Sequence, residues 1–398
     1  MSRILPLGSS EPAGATTSAQ KDRRSLQLPL KFAVIGCGAI GARHLAVLAS
    51  EPTACIGAIC DSDVSKCRHF SDAYGNVPYF TSYEDMLRES DAAVCNICTP
   101  HTLHAPMAVA AARAGKHVLV EKPMALSSWD AERMIAAAER HRVRLMVVKQ
   151  NRYNAPVLAT KAAIESGALG PILMVQCTVV WHRPDRYYSD SEWRGRADLD
   201  GGALWTQVSH FVDLMIWWCG DVVDATARLT LRKHDVEIED CGTAQLRFAG
   251  GAIGTIFWTT CAPSRNVEGS ITLVGRDGLV KIGGQYLNQI DHWDVRNIPA
   301  PLSTASPDTA NVYGTYQGTS SNHHRVIADV VRDLRNGTAA VVDGREGLRT
   351  VRAIEMTYRN AKWLGEMAAY AEGRDYLRRR RLAGDARTGT VRHHRSAI

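Results

Sequence analysis

The run from Lys31 to Gly41, Lys-Phe-Ala-Val-Ile-Gly-Cys-Gly-Ala-Ile-Gly, narrows the possible folds more than any other part of this sequence. A short apolar strand, Phe32 to Ile35, meets Gly36-x-Gly38-x-x-Gly41, and a helical pattern from Arg43 to Ala49 follows at once. Each glycine has a mechanical reason. Gly36 permits a tight turn, Gly38 lets the backbone come close to a pyrophosphate, and Gly41 lets the helix lie close to the strand. Cys37, Ala39 and Ile40 fill the intervening positions, and the first helical N–H groups then face phosphate with the positive end of the helix dipole. A second apolar stretch, Ala54 to Cys60, ends at Asp61, twenty residues past Gly41, where a dinucleotide site needs an acid for the adenosine ribose. A carboxylate there accepts the ribose hydroxyls and repels a 2′-phosphate, so NAD is the expected cofactor; Ser62 and Lys66 are the neighbours that weigh towards NADP.

A chain of 398 residues is too long for one ordinary domain, and 45% hydrophobic with 22% charged residues describes a globular protein with ample core. No apolar run approaches the roughly eighteen residues of a membrane span, and the N-terminus lacks the apolar segment of a signal peptide, so no membrane partner is expected. The ten cysteines follow no framework spacing, which points to reduced thiols and a cytoplasmic location. Cys95 and Cys98 form a CxxC inside a strand pattern, where positions i and i+3 point to opposite faces, so they read as buried small hydrophobes and not as a redox pair. From Arg374 onward there are eight arginines and two aspartates, a difference equal to the formal net charge of +6, so the body of the chain is near neutral. The basic tail, 369–398, lacks the interleaved aromatics of a nucleic-acid surface and reads as a solvated, poorly ordered segment; no nucleic-acid partner is expected. Residues 1–28, rich in Ser, Ala, Gly and Thr, read as a disordered leader.

After the glycine loop, strand and helix patterns alternate as a doubly wound parallel sheet requires. Helix Asp63 to Tyr74 and a short helix at Tyr83 to Arg88 precede strand Ala92 to Cys98, which runs into Thr99-Pro100. Helix Ala105 to Ala114 leads to strand His117 to Val120 and then Glu121-Lys122-Pro123. Helix Ser128 to His141 leads to strand Arg144 to Val148, ending at Lys149-Gln150-Asn151. These strand ends carry polar residues where ligands of such sheets bind, which brings in Thr99, Gln150 and Asn151. The first domain is thus placed at 29–153. A second, at 154–368, begins with a helix at Val157 to Ser166, a long strand at Ile172 to Trp181, a polar aromatic loop from His182 to Gly202 and a helix from Ala203 to Trp218. Four strands follow, Val222 to Arg232, Glu239 to Phe248, Ala252 to Thr260 and Val267 to Val274, with closing helices at His324 to Arg335 and Gly344 to Leu364. Short turns between successive strands make an α+β domain with an open, mainly antiparallel sheet.

Lys122 sits just past a strand end on the sheet edge that carries the glycine loop, and Pro123 stops that strand and fixes the turn. A lysine there can hydrogen-bond a hydroxyl and stabilise the oxygen as negative charge develops during hydride transfer; the bland alternative is a solvent-facing lysine. His210, on the helix after Gly201-Gly202, can take the hydroxyl proton. Thr206, Gln207 and Asp213 share its face of the helix at −4, −3 and +3; Asp213 either orients the ring or closes the helix face. The loop Trp181-His182-Arg183-Pro184-Asp185-Arg186-Tyr187-Tyr188, then Trp193-Arg194-Gly195, offers flat faces for a sugar and guanidinium grips for phosphate or carboxylate; the alternative is a loop packed on its own domain. Tyr188, Trp193 and Arg194 are its candidate substrate contacts. No metal is expected.

With strand-GxGxxG, Thr99-Pro100 with His104, Glu121-Lys122-Pro123, and Gly201-Gly202 followed by His210 and Asp213, residues 31–365 resemble the Gfo/Idh/MocA family, which includes glucose–fructose oxidoreductase and inositol dehydrogenases. The resemblance implies a Rossmann domain followed by an α+β domain whose open sheet mediates assembly, here a homodimer or homotetramer. It also implies hydride transfer between a carbohydrate and NAD(P), with Lys122 and His210 as the catalytic pair and with Glu121 and His104 among the residues around the cofactor. Many members carry an Asp four residues before the histidine; this chain has Thr206 there, as members acting on nucleotide-linked sugars often lack that Asp. The Tyr-Tyr and Trp-Arg-Gly loop is similar to that of enzymes oxidising carbon 3 of UDP-N-acetylglucosamine or its uronic acid. The expected activity is oxidation of a sugar ring hydroxyl by NAD. Alternatives are an inositol or polyol dehydrogenase, a ketosugar reductase, or a non-catalytic cofactor-sensing regulatory protein.

Overall fold

A computed structural model describes residues 29–301, 310–313, 316–338 and 342–365; the expected leader and basic tail lie outside the described residues. The first sheet is built from β1 (Leu30–Ile35), β2 (Ala54–Cys60), β3 (Tyr79–Phe80), β4 (Val94–Ile97), β5 (His117–Val120) and β6 (Leu145–Val147). All pairs are parallel and the order is β3-β2-β1-β4-β5-β6, the doubly wound arrangement of a Rossmann domain. Its strands are apolar on both sides because α1 (Ala39–Ser50), α2 (Val64–Ala73), α3 (Tyr83–Glu89), α4 (His101–Arg113) and α5 (Ser128–Arg140) cover both faces. Cys95 and Cys98 fall into the cores on opposite faces, and every cysteine is a free thiol.

A 3₁₀ turn, Gln150–Tyr153, leads through α6 (Ala155–Glu165) into the second sheet. Its strands are β7 (Ile172–Val180), β8 (Val222–Thr230), β9 (Cys241–Phe248), β10 (Ile253–Thr259), β11 (Glu268–Gly275), β12 (Gly278–Gly283) and β13 (Gln289–Val295), with α7 (Asp185–Ser189), α8 (Ala203–Thr206) and α9 (Ser209–Cys219) between β7 and β8. A hairpin, β14 (Ala310–Tyr313) with β15 (Tyr316–Ser320), then α10 (His323–Asn336), α11 (Gly344–Arg359) and β16 (Ala361–Trp363) complete the described chain. The sheet runs β13-β12-β11-β7-β10-β9-β8-β16 and is mainly antiparallel, with parallel pairs β7–β10 and β8–β16. Strict alternation puts Ala244, Leu246, Ile256 and Trp258 on the buried face, while Gln245, Arg247, Thr255 and Phe257 look outward.

Several expected elements change. The helix from Ala203 to Trp218 is broken at Gln207–Val208, where Val208 N donates to Ala203 O five residues back at 3.1 Å. The helix drawn to Leu364 stops at Arg359: Asn360 ties its Nδ2 to Ala225 O at 3.0 Å, and the chain then adds β16 beside β8. The aromatic loop contains α7, and β12 to β16 have no counterpart in the four-strand expectation. Helix α10, expected to close the second domain, instead lays Val326, Ile327 and Val330 on the core formed by Phe32, Val34, Leu45 and Leu48 of the first. The chain therefore crosses back, and the cleft between domains is bounded by segments far apart in sequence.

Candidate active site

The cleft opens at the carboxyl ends of β1 and β4, where the strand order reverses, and has a volume of about 790 Å³. Its floor is the glycine loop. Gly36 has φ +95°, and a Cβ there would lie 2.8 Å from the carbonyl carbon of Cys98. At Gly41 a Cβ would run into the Gly36 carbonyl oxygen, whereas at Gly38 it would meet nothing within 4 Å and would fill the space over the start of α1. Gly38 caps α1 without a side-chain hydrogen bond, and no acidic residue occupies the first turn, so N–H groups and the helix dipole remain for an anion. Asp61 Oδ2 accepts from Cys37 N at 2.7 Å and Oδ1 from Asp63 N at 2.9 Å, leaving each oxygen further acceptor capacity. Gly36, Gly38, Ala39, Ile40, Asp61, Thr99, Pro100 and His104 all line the cleft; Cys37 presents its amide to Asp61 and buries its thiol against Cys60 O. These residues fit a dinucleotide.

Deeper in, Lys122 and His210 face the same space. Lys122 precedes a cis peptide bond to Pro123, and its Nζ donates to Thr206 O at 2.7 Å. Glu121 accepts from Lys122 N at 3.0 Å and from His44 Nε2 at 2.9 Å. Gln150 also lines the cleft and donates to Thr319 Oγ1 at 3.1 Å. Thr206, Gln207, Trp193 and Arg194 line the opposite wall; Gln207 Nε2 donates to Tyr187 OH at 3.0 Å. Two expected contacts are not on that wall. Tyr188 turns its hydroxyl to Thr260 at 3.3 Å, and Tyr187 takes the cleft position. Asn151 is buried behind the cleft, accepting from Ser320 Oγ at 3.1 Å. Asp213 neither orients His210 nor reaches the cleft: it is buried in a bidentate pair with Arg152, both bonds 2.8 Å, and 3.1 Å from Lys149.

Two family descriptions match the chain: an oxidoreductase family with an NAD-binding Rossmann fold over residues 30–149, and the GFO/IDH/MocA C-terminal domain over residues 157–281. The chain belongs to the GFO/IDH/MocA family. Among solved structures, the fold of this GFO/IDH/MocA member is similar to the WlbA dehydrogenase from Bordetella pertussis in complex with NADH and UDP-GlcNAcA, with 36% identity and TM-score 0.74, covering 83% of this chain and 96% of that one. The WlbA enzyme from Chromobacterium violaceum, also in complex with NADH and UDP-GlcNAcA, is 34% identical with TM-score 0.76, covering 83% and 93%. Among curated relatives, D-apiose dehydrogenase from Paraburkholderia graminis is 27% identical over 83% of this chain and 88% of its own length. The protein is an NAD-dependent oxidoreductase of the sugar and polyol dehydrogenase family, acting on CH–OH groups.

The electrostatics of the GFO/IDH/MocA site separate its two central groups. Burial pushes Lys122 down to about 8, with Glu121 pulling upward and Lys149 and Arg183 downward. Burial, then Lys122 and Lys149, hold His210 well below the usual imidazole range, so the ring is unprotonated near neutral pH, the form a general base requires. Against the upward push of burial, His323 and His44 hold the Glu121 carboxyl well below its ordinary value.

What the sequence reading missed is a cage around arginine. Arg183 is only 3% exposed, and its guanidinium carbon lies 5.1 Å from the Trp181 ring centre, 5.3 Å from Tyr187 and 5.1 Å from Tyr316. Arg194 lies 4.3 Å over Tyr187, 5.4 Å from Trp193 and 5.6 Å from Tyr316. Neither makes an ion pair with a carboxylate among the described residues. Of the four loop arginines these two line the cleft, while Arg186 and Arg196 are exposed outside it. Tyr316, Thr319 and Asn311 come from the β14–β15 hairpin and carry no local signal; His101 and Arg183 lay inside patterns already noted.

Proposed function

We propose that this protein oxidises the carbon-3 hydroxyl of a UDP-linked N-acetyl amino sugar or its uronic acid. The observation that carries the substrate reading is the Arg183–Arg194 pair: permanent cations stacked on aromatic rings, facing the catalytic cleft and, among the described residues, in no ion pair with a carboxylate. Leaving such charge uncompensated is costly unless a ligand supplies the anion, and a nucleotide sugar carries a diphosphate, or a carboxylate in the uronic acid. The WlbA structures, in complex with UDP-GlcNAcA, support the same substrate class.

The residues divide the work. Bound NAD supplies the hydride acceptor, held by the glycine loop and Asp61. Neutral His210 takes the hydroxyl proton as the carbon–hydrogen bond breaks and the carbonyl forms. The Lys122 ammonium stabilises the oxygen as charge builds on it. Trp193, Tyr187 and Tyr316 give flat walls that exclude water from the reacting carbon.

The test is a panel of UDP-sugars, free sugars and polyols, followed by NADH absorbance. UDP-GlcNAc or UDP-GlcNAcA is expected to be turned over, with a primary isotope effect when deuterium replaces hydrogen at carbon 3. Activity confined to uncharged sugars, with no inhibition by UDP, would overturn the assignment.

The sheet's outer face supports assembly as a homo-oligomer. Met174, Ile253 and Phe257 stand on neighbouring strands there, 49%, 51% and 47% exposed. Phe257→Glu is expected to shift the mass measured by light scattering to that of a smaller species; an unchanged mass sinks this reading. Among the described residues no helix is long and apolar enough to cross a membrane, and the free thiols support a reducing cytoplasm, which fractionation of tagged protein would check.

A further inference from the structure

Asp200 has no part in the chemistry above, yet it is among the most enclosed charged groups of the chain, 0% exposed. Its Oδ2 accepts from Gly195 N at 2.8 Å, and its Oδ1 accepts from the hydroxyl of Thr206. Its backbone is pinned as well, with its carbonyl accepting from His101 Nδ1 at 3.2 Å and its N–H donating to Arg196 O at 2.8 Å. No cation of the described residues lies at ion-pair distance from the carboxylate. A buried carboxylate held by two neutral donors is an expensive arrangement, and stability alone would favour an apolar side chain there. What distinguishes the site is its neighbour: Thr206 donates its hydroxyl to Asp200 and accepts, through its own carbonyl, the Lys122 ammonium. The one-turn α8 that carries Thr206 starts after Gly201 and Gly202, at φ +84° and +137°, and breaks again at Gln207; the Thr206–Gln207 peptide is held by Gln207 N–H donating to Ala203 O at 2.9 Å, and the Thr206–Asp200 bond adds a side-chain anchor at the same residue.

We infer that Asp200 is a positioning residue: through Thr206 it aims the Lys122 ammonium at the reacting oxygen. This rests on the assignment of Lys122 to the reaction.

Lys122 is faced by Glu121, Lys149, Arg183 and Asp200, and by the imidazoles of His210, His101 and His104; Asp200 is faced by Lys122 and Arg194, with Tyr187, Tyr188, Glu239 and Tyr358 also within its field. Glu121 and Asp200 are the acids acting on Lys122, and both pull its pKa upward against burial. Asp200 itself is raised to about 6 by burial, so it is ionised where Lys122 must be a cation, between about 6 and about 8. Removing its charge takes away one of the two acidic pulls on Lys122, so the lysine loses its proton at lower pH.

The experiment uses the full-length enzyme with NAD and UDP-GlcNAcA, or with whichever sugar of the panel is turned over. Two substitutions divide the effect. Asp200→Asn keeps the shape and removes the charge; Thr206→Val cuts the link while leaving the Asp200 charge and the Thr206 carbonyl. Each is expected to lower kcat by about 10- to 100-fold, as a misaimed group does, with KM for NAD unchanged, and Thr206→Ser is expected to restore kcat. The titration of Lys122 is read without substrate, by NMR of reductively ¹³C-methylated lysines with Lys122→Arg to assign the signal. Asp200→Asn is expected to move its midpoint to lower pH, a change that a purely structural role would not produce. If Asp200→Asn does not fold, Thr206→Val and its serine rescue still decide the positioning claim. Folded variants with wild-type kcat and a wild-type Lys122 midpoint would overturn the inference. Full activity in Lys122→Ala would instead overturn the reaction assignment beneath it.

Discussion

Replacing Arg194 with alanine tests the substrate reading where the structure makes it most exposed to failure. Its protein hydrogen bonds are long, 3.4 Å to Tyr187 O and 3.4 Å to Tyr316 OH, so most of its donor capacity is unspent. Stacking over Tyr187 at 4.3 Å fixes the plane of the guanidinium without neutralising it. A hydrogen bond to a charged group contributes about 1.5–3 kcal/mol, so losing one to a diphosphate or carboxylate raises KM for the UDP-sugar by about 10- to 150-fold. Turnover at saturation should change far less, because a contact remote from the reacting carbon binds ground and transition states alike. The lost stacking costs about 0.5–1 kcal/mol of fold stability, visible as a small drop in melting temperature and separable from KM. Arg194→Lys should recover part of the loss, since charge returns without the planar fork. Initial rates of NADH formation against UDP-sugar concentration, with UDP as competitor, supply the measurement. A KM within two-fold of wild type, together with UDP inhibition equal in both proteins, would refute the argument that this guanidinium meets the substrate's anion.

Asp61→Ala should narrow the preference for NAD over NADP, because the carboxylate that repels a 2′-phosphate is gone; fluorescence titration with both reduced cofactors checks it, and tighter NADP binding by the unaltered protein would contradict the reading. Lys122→Ala and His210→Ala should each lower kcat by on the order of 10²–10⁴, with NAD affinity little changed and the double substitution much less than additive, which single-turnover kinetics would show. In the pH profile of the free enzyme the alkaline limb should belong to Lys122: it is a cation below about 8 and loses the proton above, so kcat/KM falls as pH rises through that value. His210, held well below the usual range, should add no limb near 6.5, and a limb there that vanishes in His210→Asn would contradict its placement.

The sequence alone determined the cofactor half of this protein, because its information is local. The glycine turn, the following helix and Asp61 lie within one βαβ unit, where residue spacing sets backbone geometry directly. The strand ends at Thr99 and Lys122 follow from the same periodicity, and Cys95 and Cys98 parted to opposite faces as strand alternation requires. Tertiary structure alone decided the substrate side. Asp213 shares a helix face with His210 in sequence, yet Arg152 and Lys149 from the first domain's edge claim it. Helix periodicity made Ala203 to Trp218 continuous, but it could not register the break at Gln207 or the bond that the Thr206 hydroxyl donates to Asp200. Tyr187 and Tyr188 were indistinguishable as neighbours until packing turned one to the cleft and the other to Thr260. The arginine cage closes only when Tyr316, more than a hundred residues downstream, is folded back over the loop. Spacing along a chain reports which side chains share one element's face; which faces then meet is set by burial and charge satisfaction across the whole molecule.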